Sequence, residues 1–284
     1  MPTSQKNKAI LFNPVGKDNI TKSRIKQFWS ENGAMNVQNL TDAAQKIIYE
    51  AWEADTADGM VCLAKQALTL SPFCLDAYNI LAEWDCNTHV KAITKYELSI
   101  YAGNILLKSE LENDQGFFWG LLETRPYMRS MAGLAGEYKA TGEIAKTIAI
   151  YERMLVLNPN DNQGIRYLLL PCLLESNNLN AAKKLLKQYD ELSAFWLYSH
   201  ALLAYIINDK KKSSIAKQAI KINSFIPSLL KKYTDNIGLD AHLQPIEAEY
   251  YSSGSTEEAE IYAKENFNAW FTNGGAIDWL LQLQ

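Results

Sequence analysis

The chain has 284 residues, 48% of them hydrophobic and 21% charged, enough apolar material for a large core and too much for wholesale disorder. Twenty-eight Lys and Arg stand against 32 Asp and Glu, a formal charge of -4 that excludes a uniformly basic nucleic-acid binder. No apolar run reaches the roughly 20 residues that a membrane-spanning helix needs. Cys62, Cys74, Cys86 and Cys172 form no CxxC pair, so they read as reduced thiols of a cytoplasmic protein.

Residues 1–39 are polar and punctuated by Pro2, Pro14, Gly16 and Gly33, and they read as an irregular N-terminal arm. KSRIKQFWS within them has the makings of a short helix docking Phe28 and Trp29. From Thr41 the pattern changes. Ala44, Ile47, Ile48 and Ala51 form the apolar stripe of an amphipathic helix, with Thr41 as its cap. Asp58-Gly59 is expected to break it, and MVCLAKQALTL gives a second helix that Ser71-Pro72 stops.

Similar helix pairs recur. LDAYNILAEWD pairs with HVKAITKYELSIYAG, and YMRSMAGLAGEYKATG with EIAKTIAIYERMLVLNP. GIRYLLLPCLLESNN pairs with LNAAKKLLKQYD, and FWLYSHALLAYIIND with SSIAKQAIKINSFIP. Almost nothing alternates with a period of two, so no strand is expected. Pro159 and Pro227 are read as closing second helices. They stand 68 residues apart, twice a 34-residue helix–turn–helix period. The interval from Pro72 to Pro159 exceeds that 68 by 19, which places an insertion at about 107–125. Small residues such as Ala135, Ala181 and Ala216 suit close helix approach. GSTEEAEIYAKENFNAWFTN opens with a capping box, Ser255 and Glu258. Residues 244–284 read as a terminal cap.

The segments AAQKIIYEAWEADTADGMVCLAKQALTLSPFCLDAYNILAE, RPYMRSMAGLAGEYKATGEIAKTIAIYERMLVLNPNDNQGIRYLLL and GSTEEAEIYAKENFNAWFTNGGAIDWL resemble the tetratricopeptide repeat (TPR) superfamily. More narrowly, they resemble the repeat region of the suppression of tumorigenicity seven family and its bacterial relatives. The resemblance implies an all-α, TPR-like α-solenoid over 40–284, with about five helix-turn-helix units and a C-terminal helical cap. It also implies a protein-binding scaffold or adaptor, and it supplies no catalytic residues.

Motifs for chemistry are sparse. No GxxxxGK[ST], GxGxxG or HExxH occurs, and His89, His200 and His242 are far apart, so no cofactor, metal site or catalytic residue is assigned. Cys172 and His200 are the one pairing for nucleophilic chemistry, but LLLPCLLE is an apolar setting that disfavours a thiolate. Arginine is the sharper signal. Four of five fall between Arg125 and Arg166, and guanidinium suits bidentate carboxylate recognition. First helices line the groove in the superfamily. The expected partner-binding set is therefore Arg129 and Arg166, with Asn79 and Glu83 before them, Tyr198 and Tyr205 after them, and Trp119 from the insertion. The expected partner is a protein or peptide whose acidic groups the two arginines anchor. The competing reading pairs each arginine with a neighbour such as Glu123, Glu137 or Asp161. Two other functions remain open: an enzyme with a pocket near 107–129, and a structural protein that self-associates through Trp270, Phe271 and Trp279.

Overall fold

The computed structural model describes residues 20–189, 191–235 and 251–284. Residues 1–19 of the expected arm and 244–250 of the expected cap lie outside them. Among the described residues every regular element is helical, with fourteen α-helices and one 3-10 turn and no strand. The fold is all-α. None of these helices is long and apolar enough to cross a membrane. The chain divides into two compact units at Asn162 and Gln163.

The first unit begins with α1 (Lys22–Trp52), which runs through what was expected to be arm. That expectation is corrected from residue 22 onward. The Thr21 hydroxyl caps α1 by accepting from the Arg24 amide at 3.3 Å. Ile25, Phe28 and Val37 are buried, and Phe28 and Trp29 lie 6.2 and 5.5 Å from the Phe73 ring. Docking on Phe73 supplies stability that the polar composition of the segment does not. Gly33, at φ +72°, kinks α1 with a conformation that glycine adopts freely. Thr41 is not a cap. It is buried mid-helix, and its hydroxyl bonds the Val37 carbonyl and the Ser71 hydroxyl, both at 2.8 Å.

Helix α2 (Ala57–Leu70) carries Asp58 and Gly59 in its first turn, so that dipeptide does not break the helix before it. The Thr56 hydroxyl caps α2 through the Gly59 amide at 3.1 Å. The turn therefore falls at residues 53–56. Next come α3 (Leu75–Trp84), α4 (His89–Leu106), α5 (Lys108–Asn113), the 3-10 turn η1 (Leu122–Thr124), α6 (Arg125–Ala140) and α7 (Ile144–Leu157). Helices pack as consecutive pairs, α1 on α2, α3 on α4 and α6 on α7, while α2 meets α3 and α6 meets both α3 and α4. Ala44, Ile48, Ala64, Ala67, Ala77 and Tyr78 belong to one apolar cluster of this unit.

The segment between α5 and α6 is packed against its own unit. The Leu157 carbonyl, left over at the end of α7, accepts from the Gly116 amide at 3.0 Å and the Phe118 amide at 3.1 Å. Phe118 is fully buried beside Tyr127, whereas Phe117 is 72% exposed. The Thr124 hydroxyl donates to the Phe118 carbonyl, closing the loop.

The second unit holds α8 (Ile165–Glu175), α9 (Leu179–Gln188), α10 (Ala194–Ile206), α11 (Lys212–Ile222), α12 (Ile226–Asp235), α13 (Thr256–Thr272) and α14 (Ala276–Leu281). Pro227 does not close a helix. It lies in the first turn of α12, where its missing N–H is no loss. The α10–α13 core is a polar-aromatic chain. The Trp270 indole donates to the Tyr262 hydroxyl at 2.9 Å, and the Tyr198 hydroxyl donates to the Asn223 carbonyl. Asn223 donates to the buried Glu258 carboxylate at 2.9 Å. Ser255 and Glu258 form the expected cap, with the Glu258 amide on the Ser255 hydroxyl at 3.2 Å. The Glu258 carboxylate reaches back to the Gly254 amide at 2.7 Å.

Candidate functional site

A cleft of about 620 Å3 opens in the first unit, walled by α1, α3, the end of α4, α5, η1 and the start of α6. Its shape follows from periodicity. Gln38, Asp42, Gln45, Tyr49 and Trp52 recur every three or four residues along α1 and share one face, next to the apolar stripe that holds α1 in the core. Arg125 and Arg129, one turn apart on α6, look into the same space, with Glu110 from α5 and Leu122 and Glu123 from η1.

The floor is an ion pair. Asp76, in the first turn of α3, has only 2% of its side chain exposed. Its two oxygens accept from Arg129, Nε to Oδ1 at 2.9 Å and Nη2 to Oδ2 at 2.7 Å. Gln45 adds a bond to Oδ2 and Asn79 one to Oδ1, each at 3.1 Å. This is the bidentate geometry that guanidinium gives and ammonium does not. A carboxylate so buried needs all of it, because an unpaired charge in the interior is costly. Asn79 is itself fixed. It donates to the Pro126 carbonyl at 3.1 Å and accepts from the Ser130 hydroxyl at 2.7 Å. Ser130 in turn bonds Ser99 at 2.6 Å. Helices α1, α3, α4 and α6 thus meet in one polar network.

The rim is aromatic and apolar. Trp52 lies beneath the Arg129 guanidinium at 5.6 Å and beside Tyr49 at 5.6 Å. Tyr49, Trp52 and Leu122 remain 55%, 47% and 70% exposed. Arg125 donates through Nε to the Trp119 carbonyl at 3.0 Å and lies 5.3 Å from the indole centroid.

Of the seven residues expected to bind a partner, Arg129 lines the cleft and Asn79 braces its floor. Trp119 stands beside Arg125. Glu83, on α3 one turn past Asn79, is outside the cleft lining and bonds Tyr96; burial pushes its carboxyl above the usual range. Arg166, Tyr198 and Tyr205 belong to the second unit. Arg166 pairs with Glu191 at 3.0 Å and lies over the Tyr167 and Tyr189 rings. Tyr198 is fully buried and cannot face a groove, because its hydroxyl is held by the Asn223 carbonyl. Tyr205 packs on Trp279 at 4.9 Å and donates to the Gly274 carbonyl. Neither arginine is a loose cation: Arg129 holds Asp76 and Arg166 holds Glu191. Trp270, one of the rings considered for self-association, is wholly buried.

Sequence reading missed Asp76, Gln45, Tyr49, Trp52 and Glu110. The polar-aromatic stripe of α1 is the signal that finds most of them. It is overlooked when only the apolar stripe of a helix is tracked. All four cysteines are free thiols, and burial raises the Cys74 thiol well above its usual value. Among the described residues no group of three or more His, Cys, Asp or Glu side chains is placed to hold a metal ion. Comparisons with family models, with curated proteins and with solved structures return no match for this chain.

Proposed function

We propose that this chain is a non-enzymatic interaction protein, a scaffold or adaptor built from TPR-like helix pairs, and that the cleft of its first unit receives a segment of a partner protein. One observation carries the reading: three exposed apolar side chains, Tyr49, Trp52 and Leu122, rim a cleft whose floor is an ion pair in which each Asp76 oxygen accepts two hydrogen bonds. Exposed aromatic rings beside a rigid floor are the usual anchors of binding energy. A floor already fixed by Asp76, Arg129, Gln45 and Asn79 needs little ordering when a ligand arrives. The volume also falls inside the range of roughly 300–1,000 Å3 in which ligand sites occur.

The test is a displayed random-peptide library selected on the full chain. Peptides so obtained are expected to lose about tenfold or more in affinity on Trp52→Ala or Tyr49→Ala. Binders indifferent to both substitutions would refute the cleft as the site.

A further inference from the structure

We infer that the segment seated in the cleft is basic: it offers a lysine or arginine to the carboxylates of Glu110, Glu123 and Asp42, with an apolar neighbour against Tyr49, Trp52 and Leu122. The inference rests on the cleft being a partner site and deepens that reading.

Charge is the first argument. Asp42, Asp76, Glu110 and Glu123 line the cleft, against two guanidinium groups, Arg125 and Arg129. Asp76 and Arg129 neutralise each other in the floor. Arg125 is turned to Trp119, with Nε on its carbonyl and the guanidinium against its ring. Three carboxylates, of which Asp42 already accepts from Gln38, then face the cleft against one cation, Arg125, hydrogen-bonded through Nε alone. Such a surface draws in positive charge and disfavours an acidic segment.

The second argument is independent of that count. Oε2 of Glu110 is buried, and no hydrogen-bond donor reaches it. A buried carboxylate oxygen without a donor is an interaction left unmade. Glu110 is itself partly exposed on the cleft lining, so a rotation of its side chain presents that oxygen to an incoming ammonium or guanidinium, which supplies both the donor and the charge.

The third is the rim. Lysine and arginine carry long apolar stems that pack on rings while the charged head reaches a carboxylate. Aromatic faces also attract the cation itself. The pairing of an acidic interior with the Tyr49–Trp52 rim matches a segment with adjacent basic and apolar residues. Arg129 and Arg166, which made an acidic partner the natural expectation, are each paired with a carboxylate of their own chain, Asp76 and Glu191.

The experiment uses the full chain and the library-selected peptides, measured by fluorescence anisotropy. Peptides that depend on Trp52 are expected to carry Lys or Arg. Their affinity should fall about tenfold or more in the Glu110→Gln, Glu123→Gln double variant and weaken as salt is raised. Glu112→Gln, a charge on the same α5 but outside the cleft lining, should change little. Circular dichroism of each variant checks that the fold persists, and Asp42→Asn repeats the test from a different helix. Trp52-dependent peptides that are acidic or neutral, or an equal response to Glu112→Gln, would overturn the charge inference and leave the cleft standing. An absence of any Trp52-dependent peptide would remove both.

Discussion

Removing Arg129 should harm this protein more than removing its partner Asp76, and the difference can be worked from exposure. The Asp76 carboxylate is 2% exposed, while the Arg129 side chain is 38% exposed. Arg129→Ala leaves a buried anion with two neutral amide donors, Gln45 and Asn79. Orphaning a buried charge typically costs 3–5 kcal/mol, and partial exposure of the pair argues for about 3. Asp76→Ala instead leaves a cation that water can reach, plus two amides each short of one bond at about 0.5–1.5 kcal/mol, for a total of about 2. The double variant contains no stranded anion, so its loss should fall short of the sum of the singles by about 2 kcal/mol. Hydrogen exchange of the α3 and α6 amides in the full chain, read by mass spectrometry, reports the local opening free energy. Asp76→Ala proving worse than Arg129→Ala, or strict additivity in the double variant, would refute the reasoning.

Other consequences are as direct. A Cβ at Gly133 would meet the Tyr96 ring at 2.3 Å, whereas one at Gly136 meets nothing within 4 Å. In thermal melts Gly133→Ala should therefore lose about 1–3 kcal/mol by overpacking α4 against α6, and Gly136→Ala should gain about 0.5–1 kcal/mol. Phe118→Ala should cost about 3–5 kcal/mol in urea unfolding, since the ring is wholly buried, while its exposed neighbour Phe117→Ala should stay within about 0.5. Burial raises the hydroxyl pKa of Tyr78, Tyr198 and Tyr262 above the ordinary value near 10. Folding then retains protons that the unfolded chain releases, so this contribution to stability is whole below about pH 10 and declines as pH rises above it. Tyrosinate absorbance and helical circular dichroism should change together in that range; ionisation of these three without loss of helix would contradict their burial.

The helix pairs were legible because their apolar stripes repeat. LDAYNILAEWD is α3 almost residue for residue, and α7, α8 and α9 each fall within a segment read from pattern, while α6, α10 and α11 begin one or two residues ahead of theirs. Errors arose where tertiary contact overrides local preference. Polar KSRIKQFWS is helical because Phe28 and Trp29 find Phe73. Thr41 looks like a cap but serves as a buried link to Ser71. Ala182, not Ala181, is the small buried residue of α9, a shift of one position that pattern alone does not fix. Pro227 starts a helix instead of ending one, so a spacing measured between prolines is not a spacing between helix ends. The candidate site was less legible still. Arg129 stood out by residue type, but its partner lies 53 positions away, and only the packing of α3 on α6 brings them together. Tyr198 shows the converse: an aromatic on a promising face proved to be core.

The claim that the cleft is a contact surface is tested most directly by site-specific photo-crosslinking in cells. A photoreactive amino acid placed at Leu122 or Tyr49, on the rim, should give a discrete crosslinked product that disappears with Trp52→Ala. The same group at Thr94, exposed on α4 and outside the cleft lining, should give none of that product. Identical crosslinks from Thr94, or rim crosslinks that persist without Trp52, would contradict the account.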